Sequence, residues 1–156
     1  MLYSDPIGNE RQHGYTLVEL LIVLTLIAIA ASIAMPSFVK QVKDDRLVTT
    51  VNKLNAVYKF ARSEAVKRDE TINIHVSGIK WLVLQDLGLA SEKTLLEFEP
   101  ATGVTVTGLA NLSISKIGTT SANEFVISDL DSSTGDYRFC TYPSGQSVII
   151  SQGTCP

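Results

Sequence analysis

An uninterrupted run of apolar residues near the N-terminus dominates the hydrophobic pattern of the chain. Over the 21 residues from Tyr15 to Met35, the only charged side chain is that of Glu19. A helix rises ~1.5 Å per residue, so a helix of this length spans the ~30 Å of a bilayer core. The pattern therefore predicts a membrane-spanning helix over residues 15–36.

The helical pattern is predicted to continue beyond Pro36 as an amphipathic helix over residues 37–68. Pro36 removes one backbone donor and crowds the preceding turn, so we expect a kink near residues 32–36. The apolar positions then recur at spacings of 4, 3, 4, 3 and 4, at Leu47, Val51, Leu54, Tyr58, Ala61 and Ala65. Polar residues occupy the opposite face, namely Lys43, Asp44, Lys53, Asn55, Arg62 and Lys67. Such a stripe marks one buried face. The alternative is that this stripe packs against another helix in a coiled coil. It is less favoured because the strands that follow need an apolar helical face to cover them.

From residue 71 onward the period changes to the alternation typical of β-strands. Residues 71–76 alternate apolar and polar side chains, Ser77 and Gly78 form a turn, and residues 79–84 form the second arm of a hairpin. Trp81 is expected in the core of this hairpin. We predict eight strands, at 71–76, 79–84, 94–99, 104–108, 112–116, 124–128, 137–142 and 147–151. One apolar helical face against antiparallel strands predicts an α+β fold.

Glu19 is the exception within the apolar run. A carboxylate inside hydrocarbon is costly, and such residues are usually functional and paired. A cation becomes available if the chain is cut after Gly14, because Tyr15 then carries a free α-amine. The N-terminus resembles that of a type IV prepilin in the residues Gly14-Tyr15-Thr16-Leu17-Val18-Glu19-Leu20-Leu21 and in Pro36.

This resemblance implies a role for each matching residue. Gly14 would be recognised by a prepilin peptidase, and Tyr15 would be N-methylated after cleavage. Glu19 would help the subunit join a growing filament. The physical reason is that an ammonium group on a neighbouring subunit offsets the desolvation of a buried carboxylate. The partners implied are minor and major pilins or pseudopilins, the peptidase, the inner membrane and the assembly platform.

A secretory signal peptide is the alternative explanation of the apolar run. Ser32, Ile33 and Ala34 form a small-residue cleavage site at its end. However, the apolar region of a signal peptide normally has 7 to 15 uncharged residues. This run is longer and contains Glu19, so the prepilin interpretation is favoured.

The size of the chain fits one small domain outside the membrane. Of 156 residues, a leader over 1–14 and the membrane helix leave about 100 for a β-rich domain over 69–156. The net charge is −3, so bulk attraction to nucleic acid is not indicated. The positive-inside rule places the more basic flank of a membrane span in the cytoplasm. Only Arg11 precedes the span, whereas Lys40, Lys43 and Arg46 follow it, so this rule argues against export of the C-terminal part. We nevertheless expect that part in the periplasm, with one inner-membrane pass, because such a leader is cut on the cytoplasmic face.

Two cysteines, Cys140 and Cys155, lie near the C-terminus with 14 residues between them. In an oxidising periplasm a pair at this spacing is expected to form a disulfide that fastens the tail. In the chain-entropy model such a bond is worth about 3 kcal/mol. The alternative is a pair of buried thiols.

The sequence does not predict an enzyme, a cofactor or a metal site. His75 is the only histidine beyond the leader, and its place in an alternating strand favours an outward polar residue over a catalytic base. Phosphate-loop and zinc-protease motifs are missing. The cluster Asp129, Asp131 and Asp136 lacks the ligand spacing of a calcium loop, so a solvated turn is expected.

A second resemblance narrows the family. Residues 61–68, a strand, and then Gly78-Ile79-Lys80-Trp81-Leu82-Val83 resemble the GspH/FimT family of minor pilins and pseudopilins. This resemblance implies a type IV pilin-like fold with a long N-terminal helix packed on an antiparallel sheet domain. It also implies a structural subunit of a type IV pilus or a type II secretion pseudopilus.

Binding of DNA is the alternative function that this resemblance raises. Some FimT relatives bind DNA through a Gly-Arg-x-Arg hairpin, and the matching residues 145–148 here lack both arginines. Arg138 and Lys116 remain as candidate contacts, and Arg62, Lys67 and Arg68 could form a patch, although a solvated helix face is favoured. A third class, an anchored hydrolase, would need a pocket around His75.

Overall fold

The computed structural model describes residues 14–151 and 153–156, so residues 1–13 of the expected leader lie outside the described part. Within the described residues the chain forms one helix and eight strands. They are α1 Leu17–Arg68, β1 Ile72–Ser77, β2 Lys80–Gln85, β3 Lys93–Phe98, β4 Thr105–Thr107, β5 Leu112–Ile114, β6 Asn123–Ser128, β7 Tyr137–Thr141 and β8 Ser147–Ile150. Each of the eight predicted strands is confirmed. β5 ends earlier than predicted because Ser115 turns back, with its N–H donating to the Thr119 carbonyl at 2.9 Å.

Helix α1 contains Pro36, and helical backbone continues on both sides of it. The chain divides into two compact units, one ending at Phe38 and the other comprising Val39–Pro156. The unit over 39–156 holds the rest of α1 and all eight strands.

The strands form two antiparallel sheets of four. Their orders are β3-β2-β1-β5 and β4-β6-β7-β8. The predicted hairpin of β1 and β2 is confirmed, with Ser77 opposite Lys80 and Asn73 opposite Leu84. Gly78 lies in its turn with φ +62°, a conformation that glycine adopts without a Cβ penalty.

The predicted stripe of α1 is the helical part of the core. All six of its residues are buried, and they pack against buried residues from both sheets. The coiled-coil alternative is therefore wrong, because the sheets of the same chain cover this face. Trp81 is also fully buried, as predicted.

Four aromatic side chains join the helix to both sheets. Tyr58 of α1 meets the edge of Phe139 at 5.7 Å between ring centroids, and Phe139 stacks on Phe125 at 5.8 Å. Phe125 in turn meets Trp81 of the first sheet edge to face at 5.0 Å. Such pairs contribute about 0.5–1.5 kcal/mol beyond their buried area. The series fixes the three elements against one another.

The turn between β7 and β8 is fastened to α1 by hydrogen bonds. The Tyr58 hydroxyl donates to the Gly145 carbonyl at 3.0 Å, and the Ser147 hydroxyl donates to Asn55 Oδ1 at 3.0 Å. Burial raises the pKa of Tyr58, so its hydroxyl stays protonated and remains a donor. Because α1 has two partners in this turn, the turn keeps one position on the helix.

Arg62 extends the same contact to the loop after β5. Its Nε donates to the Gly118 carbonyl at 3.1 Å. Arg62 is half-buried, because a distant loop that the helical period cannot reveal contacts it. At Gly145 (φ +76°), a Cβ would lie only 1.7 Å from the Gly118 oxygen. Two glycines thus allow the turn, the loop and the helix to meet.

Asp131 ties the loop between β6 and β7 to α1. Its carboxylate pairs with the Lys43 ammonium and accepts the Ser133 backbone N–H at 2.9 Å. The Lys43 hydrogen bond, followed by that of Ser133, holds the pKa of Asp131 well below its usual range. The Thr134 hydroxyl donates to Asp129 Oδ1 at 2.6 Å, which orders the same loop. The turn is exposed at Ser132, Ser133 and Asp136, as expected, whereas Asp131 is half-buried and pairs with Lys43, which lies 88 residues away.

We predict that Gly145→Ala destabilises the protein more than Gly78→Ala does. Both glycines have positive φ, and an added Cβ in that region costs about 1–2 kcal/mol at either position. Only at Gly145 does the Cβ also collide with a backbone oxygen. Urea unfolding followed by Trp81 fluorescence measures both losses. Equal losses would contradict the close approach of Gly145 and Gly118.

The Lys43–Asp131 pair predicts a stability difference that disappears in acid. A carboxylate whose pKa is lower in the folded state binds protons more readily when unfolded, so its contribution is present above about pH 5 and lost below. The wild type should therefore exceed Asp131→Asn in free energy of unfolding at pH 7, and the gap should narrow between pH 5 and about pH 3. Denaturant titrations over this range measure it. A gap that is independent of pH would show that the ion pair does not stabilise the fold.

Candidate functional site

Helix α1 begins with a reciprocal pair of hydrogen bonds between Thr16 and Glu19. The Glu19 N–H donates to Thr16 Oγ1 at 3.1 Å, and the Thr16 N–H donates to Glu19 Oε2 at 3.4 Å. This is a capping box, which satisfies two backbone donors at the first turn. The sequence analysis missed it, although the pattern of threonine followed three residues later by glutamate was its signal.

The capping box shows what Glu19 does within one chain. Its carboxylate lies in the first turn, where the positive end of the helix dipole favours a negative charge. Oε2 is engaged with Thr16, which leaves Oε1 for a second donor. A cut after Gly14 would remove neither member of the box. Tyr15, the residue that such a cut would expose, is almost fully accessible.

The first part of α1 carries an extended apolar surface. Every large apolar side chain from Leu17 to Phe38 is at least 48% exposed. Within the described residues, α1 is the one helix long and apolar enough to cross a membrane. Apolar surface on this scale is normally covered by lipid or by other protein.

Two polar side chains inside this segment, those of Thr25 and Ser32, are satisfied within the helix. The Thr25 hydroxyl donates to the Ile22 carbonyl and the Ser32 hydroxyl donates to the Ile29 carbonyl, both at 2.7 Å. Neither residue therefore needs water or an external partner. Glu19 is the only charged group of the segment.

The two cysteines are joined in the structure. Cys140 in β7 and Cys155 in the tail form a disulfide with their Cα atoms 5.9 Å apart. Cys140 is fully buried and pairs across the ladder with Val148 of β8. The bond holds the last residues of the chain against the second sheet.

Both cations proposed for DNA contact are paired with carboxylates. Arg138 of β7 pairs with Glu124 on the neighbouring strand β6. Lys116 pairs with Asp69 at 3.5 Å, and both side chains are largely exposed. Phosphate binding depends on cationic side chains. In this structure the charge of each candidate is already offset by an acidic neighbour.

Within the described part of the chain, the residues considered for enzymatic or metal chemistry do not come together in one site. His75 lies in β1 opposite Leu82 of β2 and is half-buried. Among the described residues, no group of three or more histidine, cysteine, aspartate or glutamate side chains could hold a metal ion. The arrangement of these residues therefore gives no support to a hydrolase or a metal centre.

Two family patterns match the chain. The prokaryotic N-terminal methylation motif matches residues 10–35. The family described as "Type II transport protein GspH" matches residues 50–153, two thirds of the chain. The first match supports the prepilin interpretation over a secretory signal peptide.

Two characterised proteins are similar in sequence over part of their length. The "Type IV major pilin protein PilA" of Myxococcus xanthus is 36% identical over 61 residues, 39% of this chain and 28% of that protein. The "Type II secretion system protein H" of Escherichia coli K12 is 29% identical over 76 residues, 48% of this chain and 45% of that protein. The matches thus span less than half the length of either relative.

Solved structures share the fold. The type IV minor pilin FimU of Pseudomonas aeruginosa superimposes with a TM-score of 0.58 at 21% identity, covering 68% of this chain and 89% of FimU. The minor pseudopilin EpsH of Vibrio cholerae gives 0.59 at 9% identity, covering 70% and 99%. The predicted α+β, pilin-like architecture is confirmed.

Family, motif and fold agree with the resemblance found in the sequence. Members of this family are structural subunits and not enzymes. The chain belongs to the GspH family of minor pseudopilins and type IV minor pilins, and it carries a prepilin N-methylation motif at its N-terminus.

Proposed function

We propose that this subunit resides in the inner membrane before assembly and is then incorporated into a pilus or pseudopilus filament by packing of α1 against other subunits. Residues 15–36 would span the bilayer, and residues 69–156 would form a periplasmic domain. Cleavage after Gly14 and N-methylation of Tyr15 would prepare the subunit for assembly. The observation that carries the proposal is the exposed apolar surface from Leu17 to Phe38, which holds a single carboxylate.

Lipid and neighbouring helices can each cover that surface. Burial of apolar surface alone therefore does not drive the transfer of the subunit from the membrane into a filament. Lipid tails are as apolar as leucine, and helix association in a membrane therefore depends on packing and polar contacts. An ionised carboxylate that is buried among apolar side chains without a partner is costly. A cationic partner would reduce the cost of burying Glu19 in a filament core.

The α-amine of Tyr15 in an adjacent subunit fits this role. A methylated amine remains cationic, as methylated lysine does. Glu19 Oε1 is open to a donor while Oε2 holds the Thr16 N–H. A buried pair of this kind also sets the stagger between helices, as a single polar residue sets the register of a coiled coil.

The partners that follow are other pilin-type subunits, the prepilin peptidase and an assembly platform. The curated relatives include one pilus protein and one secretion protein. A deletion strain assayed for both surface pili and secreted enzymes would assign the subunit to one machine.

We predict that Glu19→Ala and Glu19→Gln both leave the protein in the membrane but reduce its recovery in sheared filaments at least about tenfold. Glutamine serves as well as glutamate in a capping box, so Glu19→Gln keeps the start of the helix and removes only the charge. Immunoblots of membranes and sheared filaments measure the two populations.

Thr25→Ala is the matched control. It removes a polar side chain from the same segment, but that hydroxyl is satisfied inside the helix, so assembly should be unchanged. If Glu19→Gln assembles normally while Glu19→Ala does not, helix capping and not charge pairing explains the role of Glu19.

A further inference from the structure

The longest edge strand in the described part of the chain is β3. The two sheets end in the edge strands β3, β5, β4 and β8. β3 has six residues, whereas β5 and β4 have three each and β8 has four. An edge strand presents unpaired N–H and C=O groups that another strand can join. β3 therefore offers the most backbone to a further strand.

The hairpin of β1 and β2 determines which backbone groups of β2 point toward β3. Ser77 and Lys80 flank a two-residue turn, so they form a hydrogen-bonded pair. Such pairs alternate with non-hydrogen-bonded pairs along an antiparallel ladder. By this alternation the Val76 N–H points away from β2, and it donates to Asn111 Oδ1 at 2.7 Å. Trp81, the partner of Val76, therefore directs its backbone groups toward β3.

The same alternation leaves the backbone of Glu97 on the open edge of β3. Phe98 lies opposite Trp81 and Leu96 lies opposite Val83, so these two residues of β3 bond to β2. Glu97 lies between them, and its N–H and C=O point the other way. Within the described residues β3 pairs with β2 alone, so no strand meets these two groups.

A groove of about 630 Å³ lies between this open edge and α1. On the strand side, Phe98 is buried in the core, and Leu96 on the same face is 37% exposed. On the helix side, Ala56 is exposed and Phe60 is half-buried. A strand that joined β3 would lie in this groove, and its alternate side chains would cover Leu96, Ala56 and Phe60.

The charges around the groove favour an acidic side chain on the inner face of the added strand. Lys53 lines the groove on α1, and its ammonium has no ion-pair partner among the described residues. Glu97 and Glu99 lie on the outer face of the sheet, where they share Lys80 at 2.6 and 3.0 Å. Lys93 is exposed at the start of β3. On the side that faces α1, the groove therefore carries a cation without a carboxylate.

We propose that an extended segment of a different pilin-type subunit adds to β3 as a further strand and fills this groove. The segment pairs with the backbone of Glu97, places apolar side chains on Ala56 and Phe60, and places an acidic side chain opposite Lys53. In strand addition, main-chain hydrogen bonds supply affinity and the contacts of alternate side chains supply specificity. This inference rests on the proposed function, which places the chain next to other pilin-type subunits.

A second copy of this chain fits the groove poorly. Its edge strands β4, β5 and β8 are shorter than β3. The inner face of its β3 is already packed in its own core through Phe98. Its acids Glu97 and Glu99 lie on the outer face, so neither would face Lys53. The donated strand therefore comes from a chain with another sequence.

Photocrosslinking of the full chain in cells that assemble filaments tests the contact. A p-benzoylphenylalanine in place of Leu96 puts the reactive group in the groove. Illumination should give one predominant adduct with another pilin-type subunit. Mass spectrometry should locate the attachment in a segment that alternates apolar and polar residues and contains an acid. An adduct of two copies of this chain, or attachment to a helix of the partner, would overturn the proposal.

A proline at position 97 tests the main-chain pairing. Proline removes the N–H that points to the open edge and leaves the hydrogen bonds to β2 in place. Glu97→Pro should therefore lower the adduct at least about fivefold. Glu97→Gln is the matched control, because it loses the same carboxylate but keeps the N–H, and its adduct should be unchanged. Equal yields from these two variants would rule out strand addition.

Lys53→Glu tests the charge match and does not depend on the folding of the proline variant. It places two acids against each other and should lower the adduct about two- to fivefold. Lys59→Glu changes an exposed lysine on the flank of α1 that faces β8, and it should have no effect. Equal effects of these two changes would contradict the acidic partner.

Sheared filaments from the same cells separate this proposal from the proposed function. If the filaments contain the chain but illumination gives no adduct, strand addition at β3 is wrong and the proposed function stands. If the chain is missing from the filaments, the proposed function is wrong, and the strand addition that rests on it falls as well.

Discussion

The structure depends on one constraint, which is that the apolar surface of α1 has to be kept from water along its whole length. The stripe from Leu47 to Ala65 is covered by the two sheets of the same chain. The large apolar side chains from Leu17 to Phe38 are exposed. A single helix is therefore the core of a domain in one part and a surface for lipid or other helices in the other. This division explains how the domain over 39–156 can be fully folded while the first part of α1 is still covered by lipid.

The domain is fastened to its helix at several separated points. Four aromatic rings connect α1 with both sheets, and the β7–β8 turn is held by Tyr58 together with Asn55. The Lys43–Asp131 pair ties a third loop to an earlier turn of the helix. The disulfide holds the tail to the second sheet. Because these contacts fix loops and not only strands, the surfaces beside α1 keep a definite shape for other subunits.

Periodicity was sufficient to predict the elements of this fold. The 4-3-4-3-4 spacing located the buried face of α1, and alternation together with clusters of turn residues located eight strands. Contacts between distant segments could not be predicted in this way. Arg62 and Gly118 are 56 residues apart and Lys43 and Asp131 are 88 apart. Arg138 was proposed for DNA because it is basic, but its pairing with Glu124 depends on the register of β6 and β7. The capping box of Thr16 and Glu19 is a local pattern, a threonine followed three residues later by a glutamate, and the sequence alone is enough to predict it.

The proposed role of Glu19 in assembly requires a free α-amine on Tyr15, four residues before it. Mass spectrometry of the N-terminal peptide of the mature protein, purified from membranes, measures this most directly. The account predicts a chain that begins at Tyr15 and carries one additional methyl group on its amine. A mature chain that begins at Met35 would show that the apolar segment is a signal peptide. It would contradict the assembly role of Glu19, because both the amine and the carboxylate would be gone.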